Sequence, residues 1–112
     1  MSTNFTSQSE LTKIDIDSEN IEIIKNGLEK VVQSGTGVSI NYGLTNTPTI
    51  SGKTGTAEDA NGGPDHAWFV CFTPSEKSEL LIVAFAENTP GGGAVHALPM
   101  AKKILEVWIS KN

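Results

Sequence analysis

The chain has no arginine, a single cysteine and no long hydrophobic run. Its 8 positive side chains are all lysines, and 13 Asp and Glu side chains outnumber them, giving a formal net charge of -5. Phosphate binding requires clustered cations, so this balance argues against a nucleic-acid partner. Because Cys71 is alone, no internal disulfide or multi-cysteine zinc site can form, and we predict a small buried hydrophobe in a strand.

Membrane and export signals are also missing from this sequence. The longest apolar run, residues 80–86, is far shorter than the roughly 20 residues that a spanning helix needs. Residues 1–10 are polar and contain neither the basic start nor the apolar stretch of a signal peptide. We therefore expect no anchor or signal in this chain. We predict a disordered tail over residues 1–10 and one domain, or a piece of a larger one, over 11–112.

A first helix is predicted from an apolar stripe at helical spacing, formed by Ile21, Ile24, Leu28 and Val31. Asp17 or Ser18 suits its N-cap, and Gly35 is well placed to end it. Gly27 in the helix interior costs up to about 1 kcal/mol relative to Ala, so a packing reason is expected there. Residues 11–17 alternate weakly and are expected to form a short edge strand.

Three strands are predicted next, over residues 49–57, 66–73 and 79–87. Short turns join them, which favours an antiparallel meander, and the apolar third strand is expected to be buried on both faces. A last helix follows, with one face formed by Leu98, Ala101, Leu105 and Trp108. The predicted class is α+β, an antiparallel sheet with three strands in this chain and a helix on each face.

The most informative stretch is Ser51-Gly-Lys-Thr-Gly-Thr-Ala-Glu58 on the first predicted strand. The ammonium of Lys53 and the hydroxyls of Thr54 and Thr56 can together hold a carboxylate. The two glycines would let a substrate backbone approach closely. A Lys-Thr-Gly triplet alone also arises by chance on an ordinary edge strand. A phosphate-binding loop is excluded, because Thr47 stands where that motif needs glycine and no helix is predicted to follow.

In its motif order the chain resembles the class B penicillin-binding proteins, the cell-wall D,D-transpeptidases, for which Lys-Thr-Gly is one signature. The resemblance covers residues 21–108, and its His-Ala-Trp-Phe form is most similar to the elongation-type, cell-shape members. Besides 51–58, it rests on Asp65-His-Ala-Trp-Phe-Val70, Phe72-Thr-Pro74, Glu87-Asn88, Gly91-Gly-Gly-Ala-Val95 and Pro99-Met-Ala-Lys-Lys-Ile-Leu105.

The resemblance implies a serine acyl-transfer enzyme of the penicillin-binding and serine β-lactamase-like fold, without metal or cofactor. Lys53 would support the proton relay and attract the substrate carboxylate, which Thr54 and Thr56 would bind along the strand at Gly55. The Thr56 backbone N–H would be half of the oxyanion hole, where one donor is worth about 3 kcal/mol. Implied ligands are the peptidoglycan stem peptide and β-lactams. The parent protein would be membrane-anchored, with its catalytic domain outside the cytoplasm.

One departure from the family pattern is large. No serine in this chain is followed three residues later by lysine, so the Ser-x-x-Lys nucleophile motif is absent. We expect the chain alone to be inactive, with the N-terminal part of the transpeptidase domain as its missing partner. Ser-x-Asn occurs at 18–20, 39–41 and 110–112, and we interpret all three matches as chance. Strict strand alternation would put Lys53 and Gly55 on one face and both threonines on the other.

Other interpretations of these residues stay open. The chain could be a non-enzymatic module that binds cell-wall peptides or β-lactams, or a fragment of a serine β-lactamase or D,D-carboxypeptidase. We expect a structural role for His66 and a surface or capping role for His96. The resemblance places two further strands beside residues 79–87, so this apolar edge would be bare here. We expect it to pair with a second copy, giving a homodimer, or with residues 11–17.

Overall fold

The computed structural model describes residues 11–111, so the tail predicted for residues 1–10 lies outside the described residues. The predicted elements, two helices around three antiparallel strands, are confirmed within one or two residues at the strand ends. Helix α1 spans Ser18–Gln33, a short 3-10 helix Val38–Asn41, β1 Ser51–Ala57, β2 His66–Thr73, β3 Leu80–Ala86 and helix α2 Ala97–Ser110.

The sheet is a meander in which β2 is the central strand and both pairings are antiparallel. In the register, Gly55 of β1 lies opposite Trp68, and Trp68 lies opposite Phe85 of β3. Because side chains alternate along a strand, this row lies on one face of the sheet, and the rows on either side lie on the other face. This register decides which groups of β1 share a surface.

One face of the sheet carries the core, to which both helices contribute. β2 and β3 direct alternate residues into it, and α2 packs a continuous face of small and branched side chains against them. The buried cluster consists of Val32, Ile40, Ile50, Ala67, Phe69, Cys71, Ile82, Ala84, Ala97, Leu98, Ala101 and Leu105. Helix α1 contributes Val32, in its last turn, to this cluster.

The other face of β2 and β3 is exposed within residues 11–111. Trp68, Leu81, Val83 and Phe85 are all exposed, and Leu81 keeps 64% of its surface. The prediction that the third strand is buried on both faces is therefore wrong. In β3 the face toward α2 is covered, at Ile82 and Ala84, whereas the side chains on the other face remain exposed. An apolar run predicts that a strand can be buried but not that a neighbour is present to bury it.

Helix α1 begins and ends near the predicted positions. The backbone carbonyl of Asp17 accepts hydrogen bonds from the next turn, but its side chain makes no capping bond. The helix ends at Gln33, and the N–H of Gly35 donates to the carbonyls of Lys30 and Val31, 3.1 Å away in each case.

The predicted apolar stripe of α1 is mostly uncovered. Ile21 and Ile24 are exposed, Leu28 and Val31 are half-buried, and Val32 is the buried residue of this helix. The reason is that α1 lies against β1, the edge strand, and reaches the core with its C-terminal turn alone.

Three further expectations for the N-terminal part are wrong. Residues 11–17 form no strand and are exposed, with Leu11 at 84%. Their pairing with β3 is therefore excluded as well, because β3 pairs with β2 alone in the described chain. Gly27 has no packing reason, since a Cβ there would meet nothing within 4 Å outside its own turns.

Candidate active site

The Lys-Thr-Gly triplet lies in the middle of β1, which has no partner strand on one side among residues 11–111. Lys53 and Thr56 are exposed, and Thr54 and Gly55 are half-buried. An edge strand offers every second N–H and C=O to a ligand, so this segment is accessible from solvent. The structure thus brings all four residues of the sequence-predicted site to one accessible stretch.

The register places these residues alternately on the two faces. Lys53 lies opposite Val70 and Gly55 opposite Trp68, which puts both on the exposed face. Thr54 lies opposite Phe69, a fully buried residue, and so faces the helices, as does Thr56. The strict alternation predicted from the sequence is the arrangement observed.

The two faces meet at the unpaired edge of β1. The Lys53 ammonium bends back along the strand and donates to the Thr54 carbonyl oxygen at 2.8 Å. The Thr54 hydroxyl forms a 2.8 Å hydrogen bond with the hydroxyl of Thr36, in the turn after α1. In an antiparallel strand the backbone N–H and C=O of one residue point toward the same neighbouring strand position, that is, to the same edge of the strand. Residues i and i+2 point to the same edge. The contact of Lys53 with the Thr54 carbonyl indicates that this shared side of Thr54 and Thr56 is the unpaired edge.

The two glycines of the triplet region have different surroundings. Gly52 is buried, and a Cβ there would be 3.0 Å from the Val70 carbonyl oxygen and 3.2 Å from the Phe69 ring. Its missing side chain therefore serves the core, not the approach of a substrate as the sequence suggested. A Cβ at Gly55 would meet the Cβ of Trp68 at 3.3 Å. Gly55 is therefore the glycine whose missing side chain leaves the exposed face of β1 open to a ligand.

A second glycine segment, Gly91 to Gly93, packs against the C-terminal half of β1. A Cβ at Gly93 would overlap the Trp68 carbonyl oxygen and lie 3.0 Å from both the nitrogen and the oxygen of Gly55. A Cβ at Gly92 would lie 2.8 Å from the Thr56 hydroxyl, and its φ is +77°. This segment therefore contacts two of the four predicted site residues directly.

A polar cluster at the end of β1 was not found by sequence reasoning. His66, the first residue of β2, accepts a hydrogen bond from the Asn88 backbone N–H at its Nδ1, at 3.0 Å. Its Nε2 lies 3.6 Å from Oδ1 of Asp59, in the turn after β1. Hydrogen bonds from the backbone N–H groups of Gly63 and Asn61 hold the pKa of Asp59 below its ordinary value, with a smaller contribution from His66. A turn with two glycines before the histidine is the sequence signal that could have suggested it.

The remaining sequence candidates have structural positions. Nε2 of His96 bonds to the Pro90 carbonyl oxygen at 2.6 Å, so His96 precedes α2 without capping it by its side chain. Of the Ser-x-Asn matches, Asn41 donates from its amide to the Val32 carbonyl at 2.9 Å, Ser18 opens α1, and Ser110 ends α2. Asn112 lies outside the described residues.

Cys71 points into the core and is 1% exposed, as predicted from the sequence. Burial raises the pKa of its thiol to about 11, which makes it a poor nucleophile at neutral pH. From residue 11 to residue 111 no group of His, Cys, Asp and Glu could hold a metal ion. Over the same span, neither helix is long and apolar enough to cross a membrane.

A groove lies away from the triplet. It has a volume of about 440 Å³ and is lined by Leu80, Lys103, Ile104, Val107, Trp108 and Lys111. Apart from Leu80 at the start of β3, these residues belong to α2 and its end. The candidate site itself is an open strand edge, without a wall opposite it in the described part of the chain.

The sequence matches a family model described as the penicillin binding protein transpeptidase domain over residues 4–106. A relative named peptidoglycan D,D-transpeptidase MrdA, from Acinetobacter baumannii, is 37% identical over 93 residues, covering 70% of this chain and 13% of its own length. The curated relatives are matched over 13% to 16% of their lengths.

Solved structures show the same similarity. Penicillin-binding protein 2B from Streptococcus pneumoniae superposes with a TM-score of 0.75 at 27% identity, covering 93% of this chain and 18% of that one. An imipenem acyl-enzyme complex of penicillin-binding protein A from Mycobacterium tuberculosis has a TM-score of 0.55 at 26% identity. It covers 75% of this chain and 19% of that one.

Proposed function

The chain belongs to the penicillin-binding protein transpeptidase domain family, and we propose that it is the C-terminal part of a peptidoglycan D,D-transpeptidase domain that supplies the carboxylate-binding edge of the active site. The observation that carries this proposal is the unpaired edge of β1, where the Lys53 ammonium contacts the Thr54 carbonyl oxygen. Strand alternation places the N–H and C=O of Thr56 on the same edge. An ammonium beside strand N–H groups is a carboxylate site of ordinary chemistry.

Each residue has a distinct proposed role. Lys53 attracts the carboxylate of a D-Ala-D-Ala stem peptide and, in the complete domain, supports the proton relay of the missing serine. The hydroxyls of Thr54 and Thr56 donate hydrogen bonds to the same carboxylate. Gly55, which has no side chain, leaves room for the ligand along the strand. The Thr56 N–H, on the side of β1 that faces away from β2, is half of the oxyanion hole, a donor worth about 3 kcal/mol of transition-state stabilisation.

Chemistry requires a nucleophile that this chain does not contain, because no serine is followed three residues later by lysine. We therefore propose that the chain alone binds carboxylates without acylation. By its resemblance to the family, we also propose that the complete enzyme is membrane-anchored, with its catalytic domain outside the cytoplasm. Intact-mass measurement after incubation with benzylpenicillin should show the unmodified 11.9 kDa chain. One added ligand mass on any serine would contradict this assignment.

Binding is tested by NMR titration of the labelled chain with D-alanyl-D-alanine and with its C-terminal amide. The acid should shift the amide signals of Thr54, Gly55 and Thr56. We expect a Kd of about 1–10 mM, which corresponds to a binding free energy of at most about 4 kcal/mol. The amide, which lacks the charge, should bind at least about tenfold more weakly. Lys53→Ala should remove this preference. Equal shifts with acid and amide would overturn the proposal.

The bare edge of β3 bears on partners of the chain. Residues 80–86 carry no charge, and β3 has no strand on its outer side in the described chain. An unpaired apolar edge is a template for another strand. In the complete domain we assign this edge to the N-terminal part. For the isolated chain we propose a homodimer through residues 79–87.

Light scattering measures this association directly. The chain at about 100 µM should have twice the mass of 11.9 kDa. Val83→Lys, at the centre of the β3 edge, should give a monomer. Ile23→Lys replaces an exposed apolar residue on α1 and should leave the dimer intact. A wild-type monomer at this concentration would contradict the homodimer.

A further inference from the structure

Three segments that are separate in the sequence meet at His66. They are the turn after β1, which contributes Asp59, the first residue of β2, and the chain after β3, which contributes Asn88. The imidazole is largely covered, with 19% of its side chain exposed, and Asp59 retains 14%. Both ring nitrogens of His66 face a polar group of another segment. A solvent-exposed surface histidine would have water at these nitrogens instead.

The direction of these contacts determines the state of the ring. A backbone N–H only donates, so Nδ1 must carry no proton when it accepts from Asn88 at 3.0 Å. The neutral ring then has its proton on Nε2, which points to the Asp59 carboxylate. Asp59 is itself held by the Gly63 N–H at 2.9 Å. In this arrangement Nδ1 accepts a hydrogen bond, and the Nε2 proton faces the Asp59 carboxylate at 3.6 Å, beyond hydrogen-bonding distance.

Asn88 turns the chain after β3 back toward the turn that joins β1 and β2. Its φ is +50°, in the left-handed region that asparagine tolerates better than most residues. Its side-chain amide donates to the Pro64 carbonyl oxygen at 2.9 Å, and the next N–H, of Thr89, donates to the Asp65 carbonyl oxygen at 2.9 Å. With the bond to His66, three hydrogen bonds attach residues 88–89 to the start of β2 and the turn before it.

The attached segment leads directly to the glycines that lie on β1. Gly92 follows four residues after Asn88 and lies against the Thr56 hydroxyl, and Gly93 lies against the backbone of Gly55. At its far end the loop is closed by the 2.6 Å bond from His96 to the Pro90 carbonyl. The loop has no side chains of its own at 91–93. Besides the two histidine contacts, the Gly93 carbonyl oxygen accepts a hydrogen bond from the Leu98 N–H at 2.8 Å, which ties the loop to α2.

We propose that His66 is a positioning residue: through Asn88 it holds the 91–93 glycine loop against Gly55 and Thr56 and so fixes the carboxylate-binding half of β1. His66 does not touch the ligand, and Asp59 orients its ring. This inference rests on the proposed function for the meaning of the site. The contact between His66 and the loop is independent of it and is measured without any ligand.

The first measurement is the tautomer of His66 in the wild-type chain, read from imidazole 15N shifts at neutral pH. We expect an unprotonated Nδ1 and a protonated Nε2. The second is exchange of the Asn88 amide, which should be at least about tenfold faster in His66→Ala. His66→Asn should restore protection, because its side-chain oxygen can take the place of Nδ1. A protonated Nδ1 in the wild type would overturn the proposal even if His66→Ala failed to fold.

The third measurement separates positioning from general stability. His66→Ala should shift the amide signals of Gly92, Gly93 and Thr56, and His66→Asn should return them toward the wild type. Ser75→Ala, which breaks a buried hydrogen bond at the other end of β1, is the control and should leave these signals in place. Unchanged Gly92 and Thr56 signals in His66→Ala would refute the coupling. If D-alanyl-D-alanine fails to bind while the coupling persists, the proposed function alone is wrong.

Discussion

Adding one methyl group at Gly93 should disrupt the contact between the glycine loop and β1. Gly93 is buried, and its Cβ would overlap the Trp68 carbonyl oxygen and lie 3.0 Å from two backbone atoms of Gly55. All three atoms belong to the backbone of paired strands, so none can move aside as a flexible side chain does. The loop must instead move away from the sheet, and α2, which begins four residues later, moves with it.

The expected magnitude follows from this geometry. Overpacking in a core costs typically 1–3 kcal/mol, and a clash with rigid backbone falls at or above the upper end. We expect Gly93→Ala to lower the free energy of unfolding by about 3 kcal/mol or more. A change of 1 kcal/mol shifts the Tm of a domain of this size by about 4 °C, so the Tm should fall by roughly 12 °C.

Gly27→Ala is the matched control for this prediction. It adds the same methyl group in α1, where nothing lies within 4 Å outside the helix's own turns. Alanine is the better helix former by about 1 kcal/mol, so this variant should raise the Tm by a few degrees. Thermal and urea unfolding followed by circular dichroism measure both. A Gly93→Ala chain that melts within about 2 °C of the wild type would refute the close packing of the loop.

Three further outcomes follow from single contacts. Ser75→Ala removes the 2.8 Å partner of the buried Ser51 hydroxyl, which keeps only a 3.5 Å contact with the Lys25 carbonyl oxygen. It should cost about 0.5–1.5 kcal/mol in urea unfolding, and an unchanged free energy of unfolding would contradict the bond. The pKa of Cys71 is raised to about 11 by burial, so the unfolded state ionises first above pH 9. Stability should therefore fall from pH 9 to 11, by up to about 1.4 kcal/mol per pH unit, and Cys71→Ala should lack this loss. Lys53→Ala, at an exposed position, should change the free energy of unfolding by less than about 0.5 kcal/mol, which chemical denaturation can check.

The elements were predictable because their hydrophobic period is local. The aromatic and β-branched residues of β2 and the 3.6-residue spacing in α2 predict these elements correctly, and the buried face of α2 is the predicted one. Burial is different, because it depends on what lies opposite. Ile21 and Ile24 of α1 and the outward residues of β3 have the right pattern but remain exposed in the described chain. A period predicts which side of an element is apolar, and tertiary structure determines whether it is covered.

The same distinction applies to the site. The Lys-Thr-Gly triplet could be found from residue types and context, and alternation correctly predicted which residues share a face. The convergence of Lys53 with Thr54 at the edge could not, because a lysine side chain has enough rotatable bonds to bend around a strand. Nor could the contact of Asp59 with His66 and Asn88, because it joins polar residues across two turns, and no period connects them.

The two edges of this sheet differ in a way that bears on both proposals. Sheets ordinarily protect an edge strand with charges, and Lys53 and the small residues of β1 fit a strand that faces solvent and a polar ligand. β3 has the opposite composition, with no charge from Leu80 to Ala86 and flanking glutamates outside the strand. By its composition β3 resembles an interior strand, although it lies at an edge.

The register of a β3–β3 dimer can be predicted from the flanking charges. If two β3 strands pair antiparallel about a two-fold axis at Val83, Glu79 of one copy lies opposite Glu87 of the other. An axis at Ile82 instead places Lys77 opposite Glu87. Like charges directly opposite one another are unfavourable and opposite charges favourable, so the register centred on Ile82 is preferred.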